Sequence, residues 1–183
     1  MKRLKPFLWP MALALLAAAL VFFNLPGQEL PLDAPPALSA DVPEGCEVGQ
    51  RLPDFSVTCL DGSTFDLSGQ RGRVTVINLW ATWCAPCVAE LPYFDELQRT
   101  HPGVTVLALH PAPVVDDVEA YVRRGGWALL FALDEDNLAD RILGGGSLLP
   151  RTLVVDGEGL VVYSQTGSIT LEILTALVSA AGA

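Results

Sequence analysis

Positive charge is scarce in this 183-residue chain: 11 Lys and Arg stand against 21 Asp and Glu, a formal net charge of −10. No basic stripe exists to meet phosphates, which argues against a nucleic-acid partner. Histidine is scarcer still, with only His101 and His110. Neither one follows a Cys-x-x-Cys pair. Covalent haem attachment needs His directly after the second Cys, and residue 88 is Val. A zinc site would have to add Cys46 and Cys59, or the two histidines, to the pair, and neither set has metal-site spacing. No metal and no other cofactor is expected. There is also no internal repeat.

What the chain does have is Trp80-Ala81-Thr82-Trp83-Cys84-Ala85-Pro86-Cys87. It follows Val74-Thr75-Val76-Ile77-Asn78-Leu79, a short run rich in β-branched residues, as a buried strand is. It runs into Val88 to Leu97, which reads as a helix. Two cysteines two residues apart therefore sit where a strand hands over to a helix N-terminus. Unpaired amides and the helix dipole favour an anion there, so the first thiol loses its proton more readily than a free one. This is a setting for thiol–disulfide exchange, with Cys84 attacking as thiolate and Cys87 resolving the mixed disulfide. A purely structural bridge is the weaker reading, because closing a two-residue loop constrains little of the unfolded chain.

Lys2, Arg3 and Lys5 precede Phe7 to Leu25, an apolar run without a charged residue. At the helical rise it spans roughly the hydrocarbon thickness of a bilayer. With the basic flank inside, residues 1–25 read as a signal anchor. A cleaved signal peptide competes, but its apolar core is usually shorter, and the nearest small-x-small site is around Ala37-Leu38-Ser39. A buried core helix is the weakest option, and Pro43-Glu44-Gly45-Cys46 comes too late for lipoprotein processing. Residues 26–45, with Pro26, Pro31, Pro35, Pro36 and Pro43, read as a semi-extended tether. Residues 46–183 read as the folded, exported domain.

Within that domain, Leu52 to Cys59 and Thr64 to Leu67 read as a hairpin around Asp61-Gly62. Val104 to Leu109 reads as a buried strand, Val114 to Arg124 as a helix closed by Gly125-Gly126, and Trp127 to Leu133 as a third buried run. Asp136 to Leu143 reads as a short helix. Arg151 to Val155 and Leu160 to Tyr163 form a second hairpin, and Leu171 to Ala180 a last amphipathic helix. The class is α/β with a mixed sheet.

The octapeptide ending in Cys87 resembles the active-site signature of the thioredoxin superfamily, and Leu149-Pro150-Arg151-Thr152 is similar to its cis-proline loop. The N-terminal hairpin, the extra strand–helix unit before the proline strand and the anchor resemble the membrane-anchored TlpA/ResA branch. The resemblance implies a thioredoxin-like fold with Cys84 as nucleophile, Cys87 as resolving thiol, and Pro150, in cis, beside the disulfide where an extended substrate pairs. It implies that Glu90, one helical turn after Cys87, modulates the pair. It implies protein thiol and disulfide substrates, such as apocytochrome haem-binding cysteines, and electrons from a CcdA-like membrane partner. The expected enzyme is a monomer on the extracytoplasmic side of the cell membrane, held by the N-terminal helix.

The chain departs from ordinary thioredoxin at Asn78, which stands where a titrating Asp assists proton transfer, so Glu90 or water must serve instead. Arg151 is expected to put a positive charge near the dithiol. Pro92 resembles the family's helix kink. Trp83 is expected over the dithiol, while Trp80 fits the core equally well. His110, at the carboxyl end of its strand, reads mainly as structural, and His101 as a surface residue. In an exported protein Cys46 and Cys59 are most economically a structural disulfide, contributing about 3 kcal/mol in the chain-entropy account. A second exchange pair and free thiols are the alternatives. Two other functions compete with exchange. A thiol peroxidase of peroxiredoxin type would need Pro at 77 and Thr at 81, and the chain has Ile77 and Ala81. A non-catalytic peptide-binding module would keep the dithiol permanently oxidised as a staple.

Overall fold

The computed structural model describes residues 42–111, 117–145 and 148–183. The expected anchor at 1–25 and most of the tether at 26–45 lie outside the described residues. Among the described residues no helix is long and apolar enough to cross a membrane. Chain order runs β1 (Ser56–Thr58), β2 (Thr64–Asp66), β3 (Val74–Leu79), α1 (Ala85–Thr100), β4 (Val104–Pro111), α2 (Val118–Gly125), β5 (Leu130–Asp134), α3 (Leu138–Arg141), β6 (Arg151–Val155), β7 (Val161–Thr166) and α4 (Leu171–Ala180).

The five longer strands make one mixed sheet in the order β5-β4-β3-β6-β7. β3 is its centre: all six residues are buried, and the β-branched majority suits a strand covered on both faces. It runs parallel to β4, with Leu79 opposite Leu109, and antiparallel to β6, with Leu79 opposite Arg151. The cores on the two faces differ. On one, Val74, Val76 and Trp80 pack with Cys87, Leu91, Phe94 and Leu97 of α1 and with Leu174 and Val178 of α4. On the other, Ile77 and Leu79 pack with Phe55, Phe65 and Leu67 of the hairpin region and with Leu138 and Leu143. The β1–β2 hairpin is a separate two-stranded sheet. It reaches the edge of β5 through the Cys59–Ala132 bridge and the Leu60 amide, which donates to the Phe131 carbonyl.

Several boundaries differ from the sequence-based expectation. The fold begins before Cys46, since Arg51 N–H donates to the Pro43 carbonyl and Gly45 N–H to the Arg51 carbonyl. β5 starts at Leu130, because Gly126 ends α2 in a left-handed conformation at φ 65° and the Ala128 amide turns aside to bond Asp95. α3 shrinks to Leu138–Arg141, entered through Asn137 at φ 59°.

The Asp134 carboxylate, 1 % exposed, holds this short helix by accepting from the Leu138 amide at 2.6 Å and the Ala139 amide at 2.8 Å. Asp134→Ala would leave both buried donors unsatisfied. It should lower unfolding stability by about 2–3 kcal/mol in urea titrations, and a loss below about 0.5 kcal/mol would contradict this anchoring role.

Candidate active site

At the end of β3 the chain turns through Trp80-Ala81-Thr82-Trp83 and enters α1. The first amides of a helix have no partner within it. Here Cys84 is the N-cap, and its Sγ accepts from the Cys87 amide at 3.3 Å. Pro86 sits in the first turn, where no amide proton is needed. Cys84 and Cys87 are joined as a disulfide with their Cα atoms 5.2 Å apart. Cys84 is 6 % exposed and Cys87 fully buried, so Cys84 is the residue of the pair that keeps some exposure. Trp83 beside it is 57 % exposed, whereas Trp80 is fully buried and belongs to the core.

The Leu149–Pro150 peptide bond is cis. Since Arg151 stands opposite Leu79, the antiparallel register carries Pro150 alongside Trp80, at the sheet end that leads to Cys84. Leu149 packs against the cluster containing both cysteines. Pro150 and the dithiol are thus brought to one end of the sheet.

Glu90 lies on the same α1 stripe as Cys87, Leu91, Phe94 and Leu97, and it is buried. Its Oε1 accepts from Asn78 Nδ2 at 3.0 Å, and its Oε2 from the Ile169 amide at 3.0 Å. Burial pushes its carboxyl above the ordinary value of 4.5, and the two donors only partly offset this. Asn78 Nδ2 also reaches Thr152 Oγ1 at 3.4 Å, while Asn78 Oδ1 is buried without a partner among the described residues. Asn78 thus does more than replace a titrating group: it grips the acid that remains. Sequence reasoning missed Thr152 and the Ile169 amide. The 3–4 spacing of Cys87, Glu90, Leu91 and Phe94 was the available signal that Glu90 is buried.

Two expectations are corrected. Arg151 does not face the dithiol. It shares the side of β6 with Leu153 and Val155, which belong to the opposite core. There its Nε donates to the Leu143 carbonyl at 2.9 Å and its Nη2 to Ser164 Oγ at 2.8 Å, with Glu47 Oε1 at 3.7 Å. Gly144 is required beside it: at φ 83° a Cβ there would stand 2.7 Å from Arg151 Nη2 and 3.0 Å from Cys46 Sγ. The expected Cys46–Cys59 disulfide is absent, and both are free thiols. Cys46 lies against Gly144 and Arg151 at the start of β6. Cys59 is bridged to Ala132 of β5, with β4 and β3 between those strands. Burial pushes the Cys59 thiol up, away from the reactive thiolate.

The comparisons with known proteins agree with this geometry. The Redoxin family model matches residues 47–177. The thiol-disulfide oxidoreductase ResA of Geobacillus thermodenitrificans is 34 % identical over 127 residues, 68 % of this chain and 72 % of the relative. ResA of Bacillus thuringiensis is 33 % identical over 133 residues, 70 % of this chain and 75 % of the relative. A thiol:disulfide interchange protein of the thioredoxin family from Chlorobium tepidum shares the fold, with a TM-score of 0.64 over 78 % of this chain and 99 % of that one at 24 % identity. A strand, a Cys-x-x-Cys helix start and a cis-proline loop at one sheet end define a thioredoxin-fold dithiol enzyme. The chain belongs to the TlpA/ResA-like thioredoxin family of thiol–disulfide oxidoreductases.

The buried Glu90 carboxyl makes stability depend on pH. Between 4.5 and its raised folded value, the folded protein keeps a proton that the unfolded chain has lost. That contribution is fully present below the unfolded value and is lost as pH rises through the folded one. Urea midpoints measured across this window should fall with rising pH in the wild type and stay flatter in Glu90→Gln. Parallel profiles for the two proteins would contradict the assignment.

Proposed function

We propose that the chain is an extracytoplasmic reductase, held to the membrane by residues 1–25, that reduces disulfides in exported proteins. The haem-binding cysteines of apocytochromes are the substrate class in view. The observation that carries the reading is the disulfide-bonded Cys84–Cys87 pair at the α1 N-terminus, with Cys84 the more exposed residue. ResA relatives at 33–34 % identity support the type of reaction.

In the reduced enzyme Cys84 is the nucleophile. The amide that meets its Sγ, together with the helix dipole, favours the thiolate. Its sulfur attacks one substrate sulfur, forming a Cys84–substrate bond and expelling the other substrate sulfur as thiolate. Cys87 then loses its proton and attacks Cys84 Sγ. The mixed disulfide breaks, the second substrate thiolate leaves, and the Cys84–Cys87 disulfide remains. Two electrons have passed to the substrate, whose thiolates take up protons. A membrane dithiol donor of CcdA type then restores the pair by the same exchange in reverse. Pro150 lines the place where an extended substrate lies against the disulfide. Glu90 sits one helical turn beyond Cys87 and sets how readily the buried thiol gives up its proton. The enzyme acts as a monomer.

The peroxidase alternative has nothing to rest on, since Ile77 and Ala81 are both buried apolar residues.

A defined substrate tests this reading. Reduced protein is mixed with an oxidised peptide carrying the Cys-x-x-Cys-His haem-binding box, and peptide thiols are counted by alkylation and mass. Wild type should reduce the peptide stoichiometrically, Cys84→Ser should not, and Cys87→Ser should accumulate the Cys84–peptide adduct. Unimpaired reduction by Cys84→Ser would remove Cys84 from the mechanism. A wild type that reduces insulin but leaves the peptide oxidised would remove the substrate class.

A further inference from the structure

His110 is fully buried, and the exchange between Cys84, Cys87 and substrate does not use it. It lies near the carboxyl end of β4, on the side of that strand shared with Val106 and Ala108, which pack in the cluster that holds Cys84 and Cys87. Its ring meets Trp80 edge-on, with centroids 5.6 Å apart. The two ring nitrogens have different partners. Nε2 accepts from the Thr82 amide at 3.4 Å, and Nδ1 lies 2.9 Å from the Pro111 carbonyl. An amide can only donate and a carbonyl can only accept. Both contacts are satisfied together by a single form, the neutral imidazole with its proton on Nδ1.

The Thr82 amide matters because Cys84 lies only two residues beyond it. The short segment Trp80 to Trp83 is all that separates the end of β3 from the nucleophile. That segment is hooked to β4 twice: the Trp80 amide donates to the Leu109 carbonyl at 3.1 Å, and the Thr82 amide donates to His110. The Cys84 amide then closes the turn onto the Ala81 carbonyl at 3.1 Å. The second hook is a side chain, whereas the first and the turn closure are backbone bonds. Cys84 must keep its extended capping conformation, φ −90° and ψ 94°, for its Sγ to meet the Cys87 amide.

We propose that His110 is a positioning residue for the nucleophile, its Nε2 anchoring the Thr82 amide so that Cys84 is held at the N-cap of α1. The proposal rests on Cys84 being the exchanging thiol. Loss of the acceptor frees the Ala81–Cys84 turn from β4, weakens the Sγ–amide contact and lowers the thiolate fraction of Cys84.

The test uses the full chain, reduced, with iodoacetamide as probe and mass mapping to separate Cys84 from Cys46 and Cys59. His110→Leu, which fills the space without an acceptor, should alkylate at Cys84 roughly fivefold more slowly at neutral pH, the weight of one neutral hydrogen bond. His110→Gln, whose Oε1 can accept where Nε2 did, should recover most of that rate. Equal losses in both variants would reduce His110 to packing, and no loss in either would remove the role. A Cys84 that is inert in wild type would instead sink the exchange reading itself. The 15N shifts of the imidazole in folded wild type give a check independent of any variant. A proton on Nδ1 is expected, and one on Nε2 would overturn the proposal.

Discussion

β3 is hydrogen-bonded along both edges, and the rest of the site depends on that. A strand paired on one side can fray or slip, but Leu79 is fixed against Leu109 and Arg151 at once. A slip of one residue would turn every side chain to the wrong core. Three parts of the chain are therefore delivered to one end of the sheet: the Trp80–Cys84 segment, His110 from β4 and Pro150 from the loop that enters β6. The helix beyond Cys84 supplies amides without partners, and a cysteine sulfur takes the place of the usual capping oxygen. Fold and site meet in that one contact, because the sulfur that caps the helix is a sulfur of the Cys84–Cys87 disulfide.

The two faces of the sheet carry polarity differently. On the dithiol face a single carboxyl among the described residues, Glu90, is buried among apolar groups and held by Asn78 and the Ile169 amide. Two hydrogen bonds do not replace full hydration, so burial dominates and the proton is retained to higher pH. That carboxyl stands three residues beyond Cys87 on the same buried stripe of α1. On the opposite face Arg151 is also buried, but its guanidinium meets a carbonyl, two hydroxyls and Glu47. That arrangement braces β6 against β7 and the Leu143 region.

Much of this was legible in the sequence. The bounds of α4 and β6 are those the pattern indicates, because an amphipathic ten-residue helix and a run of β-branched residues leave little choice. Cys84, Cys87 and the cis-proline at 150 were legible from local motifs. Its closeness in sequence to Pro150 suggests that Arg151 faces the dithiol, but the period of two in a strand places it with Leu153 and Val155. The Cys46–Cys59 pairing failed for another reason: it depended on where a loop and a hairpin dock on the sheet, which no local pattern encodes. The partners of Glu90 come from β3 and the entry to α4, and only the fold brings them together. His110 was visible as a strand-end histidine, but its bond to Thr82 was not.

The central claim is that Cys84–Cys87 is a working couple and not a staple. Equilibration of the protein with a graded thiol–disulfide buffer, followed by alkylation and mass reading of that pair alone, measures its reduction potential. The account predicts one reversible two-electron transition within the range of thioredoxin-type catalysts, roughly −120 to −270 mV. A pair that stays oxidised until below about −300 mV, as structural disulfides do, would contradict it.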